Sequence, residues 1–172
     1  AVGSLSVTPM IGQLYQAGAS LANKYQVQMV ELKYENADSG SLLGAVWERK
    51  AASQTLVKDD PANDAAFYGG TTGAPLGDFN SVQTSFILGR DWTEFGLRLE
   101  ATFLQGNTGI NIGNDSFVRI NSYAVASEFE YRPENSKWNT KLRAGIASGD
   151  DPTSRDSFEG FMFDRNYDVA FL

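Results

Sequence analysis

Neither histidine nor cysteine occurs in this chain, so carboxylates are the main residues left for acid–base or metal chemistry. Ser-His-Asp catalysis, Cys-His catalysis and the usual zinc sites are thereby excluded. Glu128 and Glu130 are two positions apart, which places both on one face of a strand. Basic neighbours are expected to keep them ionised, whereas a general acid needs a raised pKa. We therefore predict that the protein is not an enzyme and that it uses no cofactor.

Two aspartate-rich segments, residues 59–64 and 150–156, offer oxygen atoms that a cation could use. Calcium takes about six to eight oxygen ligands in a flexible loop. Neither segment matches a defined calcium motif, and Asp-Pro pairs commonly begin turns. We predict solvated loops and no metal site. The alternative is a divalent-cation site shared with lipopolysaccharide, and its candidate ligands are Asp59, Asp60, Asp64, Asp150, Asp151 and Asp156.

Apolar and polar side chains alternate without interruption from Phe95 to Phe103, and the polar set includes Arg98 and Glu100. Alternation at a period of two places the two sets on opposite faces of a β-strand. The same pattern recurs in segments of about ten residues, the length of a tilted barrel strand that crosses a bilayer. We therefore predict an all-β fold, an antiparallel transmembrane up-and-down β-barrel.

The composition sets the scale of this barrel. A chain of 172 residues forms one domain, residues 1–172, with room for about eight strands. No run approaches the ~18 apolar residues of a membrane-spanning helix. The net charge of -7 argues against a nucleic-acid partner, because binding phosphates needs a basic face. The absence of cysteine removes disulfides from consideration.

Three hairpins are predicted, with strands at 25–35 and 41–50, 79–90 and 94–105, and 117–132 and 137–148. Polar stretches at 51–78, 106–116 and 149–160 separate them and are predicted outer loops. Short turns that alternate with long loops are typical of bacterial barrels. Residues 1–24 leave a choice between a strand over 5–17 and a loop, and residues 160–172 could form a last strand. The alternative to an eight-stranded barrel is a contiguous part of a larger one.

Pairing in these hairpins can be predicted from their turns. If Asp91 pairs with Glu94, the apolar residues of both strands fall on one face. The third hairpin behaves in the same way if Arg132 pairs with Lys137. The expected pairs are Leu32 with Leu43, Val30 with Ala45, Leu88 with Leu97, Phe86 with Leu99, Tyr131 with Trp138 and Tyr123 with Ile146, and Glu128 lies opposite Lys141 on the other face.

The two faces have different expected environments. Unpaired buried charges are very costly, so the charged face needs water or a paired network. We predict that it lines the lumen, either as a pore or as an ion-pair network, with Glu31, Lys33, Glu48, Arg98, Glu100, Glu128, Glu130, Lys141 and Arg143. The other face would meet lipid, with an interfacial aromatic girdle of Trp92, Phe95, Tyr131 and Trp138.

These alternating hairpins with aromatic ends resemble bacterial outer-membrane porin-type barrels. Residues 142–151, with Phe158 and residues 161–167 after them, resemble alginate-export-type barrels more particularly, in which a strand ending in a Ser-Gly-Asp turn leads into a Phe-containing loop. That second resemblance covers about the last thirty residues. It implies a barrel of about eighteen strands with a basic lumen for anionic solutes. The chain is too short for such a barrel, its charged face is not dominated by arginine, and Phe171 is followed by Leu172. These departures leave two alternatives, a barrel formed by this chain and a portion of a longer protein.

The function predicted from these patterns is a porin-like passive channel for small polar or charged solutes in a Gram-negative outer membrane. One alternative is a closed eight-stranded barrel that acts through its outer loops. A second is a soluble β-sandwich binding module. The expected partners are outer-membrane lipid and lipopolysaccharide, the barrel-assembly machinery and small polar solutes.

Overall fold

Seven antiparallel strands, each paired with the next along the chain, form the sheet of the computed structural model. The structure describes residues 3–15, 24–52, 79–113, 116–151, 153–154 and 156–161. No helix long and apolar enough to cross a membrane occurs in these ranges. The strands are β1 (Ser4–Tyr15), β2 (Lys24–Asn36), β3 (Ser41–Ala52), β4 (Phe79–Asp91), β5 (Phe95–Gly113), β6 (Ser116–Tyr131) and β7 (Thr140–Ala147), followed by the two-residue β8 (Ser157–Phe158).

The predicted all-β, antiparallel, up-and-down arrangement is confirmed for these strands. Because the six successive pairings are all antiparallel, β1 and β7 run in the same direction. They are the two ends of the sheet, which is not closed within the described residues. The strand predicted over 5–17 is present as β1, and Pro9 lies on it at the edge of the sheet, where a missing N–H donor is tolerated.

Pairing in all three hairpins is displaced by two residues from the predicted register. Asp91 pairs with Gly96, because Trp92 donates its backbone N–H to the Phe95 carbonyl 2.7 Å away and the turn is wider than predicted. A two-residue displacement keeps each side chain on its predicted face. The observed pairs are Leu32 with Ala45, Val30 with Trp47, Leu88 with Leu99, Phe86 with Ala101, Tyr131 with Thr140, Val125 with Ile146 and Glu128 with Arg143.

The loop predicted over 106–116 is wrong for most of its length. Strand β5 continues to Gly113 and β6 begins at Ser116, so this hairpin extends beyond the end of β4. Within this stretch the register between β5 and β6 shifts between Asn107 and Asn111, which indicates a β-bulge or a similar irregularity. Gly109 has a φ of 77° in this stretch, which is a conformation that glycine adopts readily.

The chain after β7 folds back beside the first part of β6, at Arg119 and Ile120. Strand β8 pairs with β6 in parallel, with Ser157 opposite Arg119, and thus takes the place that the shorter β7 leaves open. Ser148 ties this return together, because its hydroxyl donates to the Glu159 carbonyl at 2.6 Å and its own carbonyl accepts from the Phe161 N–H at 2.9 Å. The possible last strand over 160–172 lies, after Phe161, outside the described residues.

The β2–β3 turn depends on a glycine. Gly40 has a φ of 60°, and a Cβ built on it would lie 2.7 Å from the Cβ of Asp91 and 2.9 Å from its carbonyl oxygen. Gly40→Ala is therefore expected to lower the free energy of unfolding by at least about 1–2 kcal/mol, the cost of a left-handed conformation for a residue with a Cβ. Urea titration in detergent micelles measures the change.

Gly149→Ala is the matched control, because a Cβ at that position meets nothing within 4 Å. Equal stability of the two variants would contradict the turn geometry described for Gly40.

Candidate functional site: the charged face of the sheet

All nine residues predicted to face the lumen project from the same side of the sheet. The register places them there, because residues opposite one another in adjacent strands share a face. We call this side the charged face and the opposite side the apolar face. The nine predicted residues on the charged face are, by strand, Glu31 and Lys33 on β2, Glu48 on β3, Arg98 and Glu100 on β5, Glu128 and Glu130 on β6, and Lys141 and Arg143 on β7.

Glu128 is the best-connected carboxylate on the charged face. One of its oxygens accepts from Arg143 Nε at 2.6 Å, and the other lies 3.0 Å from Lys141 Nζ. Glu128 itself is buried at 9% exposure, whereas the two basic side chains are more than a third exposed. The predicted contact with Lys141 is thus present, although the residue directly opposite Glu128 is Arg143. This cluster joins β6 to the last long strand of the sheet.

Asp91 forms the second cluster, which was not among the predicted site residues. Its carboxylate lies 2.5 Å from Arg98 Nη2 and 3.2 Å from Arg132 Nη2. Arg132 also approaches Glu130 at 3.9 Å. Asp91 therefore links the ends of β4, β5 and β6 beside the short turns. The sequence could have indicated this, because Asp91 lies at alternate positions of β4 with Ile87 and Gly89, which project from the charged face.

Two further carboxylates on this face are paired within their own strands. Lys33 Nζ lies 2.9 Å from Glu35, and Lys50 Nζ lies 2.8 Å from Glu48. Glu31 interacts electrostatically with Lys33 over a longer distance. The charged face is consequently a set of local ion pairs of both signs, which is the arrangement that keeps charges stable beside water or in a narrow polar space.

The most buried side chains of the sheet are small and aliphatic ones on the charged face. The most buried apolar residues of the described chain lie here, with Ala124 and Ala126 at 4% exposure and Ile87 and Ile120 at 9%. Ser85 and Thr102 are also buried, and their hydroxyls share a hydrogen bond of 2.9 Å across β4 and β5. The charged face thus combines buried small and aliphatic residues with long charged side chains.

The apolar face has the opposite character, since its large side chains are exposed. Phe86 is 51% exposed, Leu142 is 65% exposed and Ile11 is 84% exposed. An aromatic row crosses the sheet where Trp47, Thr84, Phe103 and Tyr123 pair in successive strands. The next row toward the long-loop end of β5 is mostly polar, with Gln28, Arg49, Gln105 and Asn121 in corresponding positions and Ile11 and Val82 as its apolar members.

The residues of the predicted girdle lie at the short-turn end of the same face or in its turns. Phe95 and Tyr131 stack with ring centroids 5.0 Å apart, directly opposite each other on β5 and β6. Trp92 lies in the β4–β5 turn, where the Arg90 guanidinium sits 5.5 Å from its ring. Trp138 lies in the β6–β7 connection and is 82% exposed. Aromatic side chains thus occupy both ends of the apolar stretch on β5.

The candidate ligands of the alternative cation site that the structure describes make local bonds in the loop after β7. Thr153 donates to Asp151 through its backbone N–H and its hydroxyl, and these bonds lower the pKa of the Asp151 carboxyl. The Ser154 hydroxyl and Arg119 lower the pKa of Asp156. Asp150 accepts from the Glu159 N–H at 2.9 Å. Asp59, Asp60 and Asp64 lie outside the described residues, and the described ranges contain no group of three metal-ligating side chains.

The Glu128 cluster generates a stability prediction. Glu128→Gln removes a buried charge and leaves Lys141 and Arg143 facing each other, so we expect the free energy of unfolding to fall by about 1–3 kcal/mol. Equilibrium unfolding in micelles measures this change. Glu134→Gln, which removes a charge from an exposed turn residue, is the control and should leave stability nearly unchanged. Equal effects would show that the two ion pairs of Glu128 add nothing to the fold.

No family model, no curated protein and no solved structure matches this chain. A function can therefore be inferred only from the sequence and from the geometry described above.

Proposed function

We propose that the chain forms part of the wall of a bacterial outer-membrane β-barrel that acts as a porin-like passive channel. In this proposal the apolar face meets lipid and the charged face lines the lumen. Small polar or charged solutes would pass along the charged face. Outer-membrane lipid and lipopolysaccharide are the partners that the apolar face would contact.

The observation that carries this proposal is the exposure of the apolar face. In a water-soluble sheet the large apolar side chains are buried and the charges lie outside. Here Phe86 and Phe103 are about half exposed, while the most buried apolar residues, such as Ala126, lie on the charged face. Extended exposed apolar surfaces mark membrane or protein interaction sites. Lipid is the environment that would cover a surface of this kind on all strands at once.

The dimensions of the apolar face agree with a bilayer. On β5 it extends from Phe95 to Phe103, and eight residue steps at ~3.3 Å give roughly 26 Å along the strand. At a tilt of about 40° this corresponds to roughly 20 Å along the membrane normal, close to the ~25 Å apolar band of outer-membrane barrels. Aromatic residues at both ends fit the two membrane–water interfaces.

The direction of the edge strands bears on how such a barrel would close. Since β1 and β7 run the same way, direct pairing between them would be parallel. Closure by antiparallel pairs alone requires an odd number of further strands between them. Seven strands and an odd number of further strands give an even total, and bacterial outer-membrane barrels usually have an even number of strands. The proposal therefore treats the seven described strands as one section of the barrel wall.

Conductance tests the proposed function directly. The full chain, refolded in detergent and reconstituted into a planar bilayer, is expected to produce stepwise currents because a lumen lined by charges holds water. Protein that inserts and shows heat-modifiable migration but carries no current would be a plugged barrel with a structural or loop-binding role. Protein that folds without detergent and never inserts would show that the membrane assignment is wrong.

The lipid contact of the apolar face gives a separate prediction. Leu99 lies midway between Phe95 and Phe103, so Leu99→Arg is expected to destabilise the protein in lipid vesicles by about 2–4 kcal/mol, the cost of arginine near the bilayer midplane. Leu104→Arg on the charged face of the same strand is the matched control and should cost much less. Unfolding by guanidinium from vesicles measures both. A larger loss at Leu104 would assign the two faces the other way round.

A further inference from the structure

We propose that Glu100 gives the lumen a preference for small cations over anions. This inference rests on the proposed function, because it assigns the selectivity of that same channel. Its basis is the difference between Glu100 and the other carboxylates of the charged face.

Pairing separates Glu100 from those carboxylates. Each of Glu35, Glu48, Asp91, Glu128 and Glu130 has a basic nitrogen within 4.0 Å. Most of these groups carry no net charge, and Glu128 with its two bases, Lys141 and Arg143, carries one positive charge. Glu31 and Glu100 have no such contact among the described residues. Glu31 interacts electrostatically with Lys33 on its own strand, whereas no base interacts with Glu100 in this way, so its charge is not offset locally.

The surroundings of Glu100 explain why no base reaches it. Its neighbours across the strands are Ile87 on β4 and Ala126 on β6, neither of which carries charge. Arg98 is the nearest base along the same face of β5, but one of its terminal nitrogens binds Asp91 and the other donates to the Leu97 carbonyl at 2.9 Å. The bases of β7 are engaged by Glu128.

The position of Glu100 also suits a role in selectivity. It lies near the middle of the stretch from Phe95 to Phe103, far from both ends of the apolar face. Two of its neighbours on the charged face, Thr102 and Ala126, are small and buried. An unpaired charge between low-dielectric walls concentrates ions of the opposite sign. The solutes that it would favour are small cations.

Reversal potentials in a salt gradient measure this preference. With potassium chloride across a planar bilayer, the wild-type chain is expected to favour potassium. Glu100→Gln should lower the potassium-to-chloride permeability ratio about sevenfold, because one unit charge at roughly 7 Å in water favours potassium about threefold and disfavours chloride about threefold. Glu100→Asp should keep most of the preference, because it retains the charge.

Glu134→Gln is the control for the loss of one negative charge, since Glu134 lies in the exposed turn after β6 and not on the charged face. A unique thiol provides a second approach that does not depend on the folding of the glutamine variant, because the chain contains no cysteine. Glu100→Cys, labelled after insertion, should regain cation preference with a negatively charged methanethiosulfonate reagent and shift further toward anions with a positively charged one.

The outcomes separate the two proposals. Currents whose selectivity is unchanged in Glu100→Gln, and unchanged by either thiol label, would overturn the role of Glu100 and leave the channel intact. An equal change in Glu134→Gln would also overturn it, because the effect would then reflect net charge alone. A wild-type protein that inserts without any current would overturn the channel and, with it, the selectivity.

Discussion

Antiparallel pairing with a side-chain period of two is the constraint on which the rest of this structure depends. Every strand from β1 to β7 must place alternate residues on opposite sides of one continuous sheet. Since each hairpin keeps its apolar residues in step with those of the next, the sheet acquires one apolar and one charged face. A displacement by a single residue in any hairpin would mix the two faces, whereas the observed turns preserve them.

The ion pairs of the charged face follow from the same constraint and also reinforce it. Asp91 reaches Arg98 and Arg132, so one carboxylate fastens three successive strands near their short turns. Glu128 performs a similar role between β6 and β7. These contacts join residues that are distant in sequence, and they neutralise most of the charge that the face carries. The net field in front of the sheet is therefore decided by the few groups left outside the pairs.

The two ends of the sheet differ in construction. At the short-turn end, compact connections such as that around Gly40 bring successive strands together close to the aromatic pair of Phe95 and Tyr131. At the other end, the β5–β6 hairpin extends past β4, and the chain after β7 folds back to pair with β6. Polar side chains, Arg49 and Gln105 among them, begin there directly beyond the aromatic row. The proposed membrane-facing band, with a solvated rim at the long-loop end, would account for both features.

Much of this architecture could be predicted from the sequence, because the alternation of apolar and polar residues is a local property. It determined the strand class, the three hairpins and which residues share a face, including Glu100 and the Phe95–Phe103 stretch. Tertiary structure decided what depends on contacts between distant residues. The register depends on turn hydrogen bonds such as that of Trp92. The stretch after Gly106 continues as a strand around a register shift. Asp91 contacts Arg132, which is 41 residues away in the sequence. The isolation of Glu100 is likewise tertiary, since it depends on where every neighbouring base is directed.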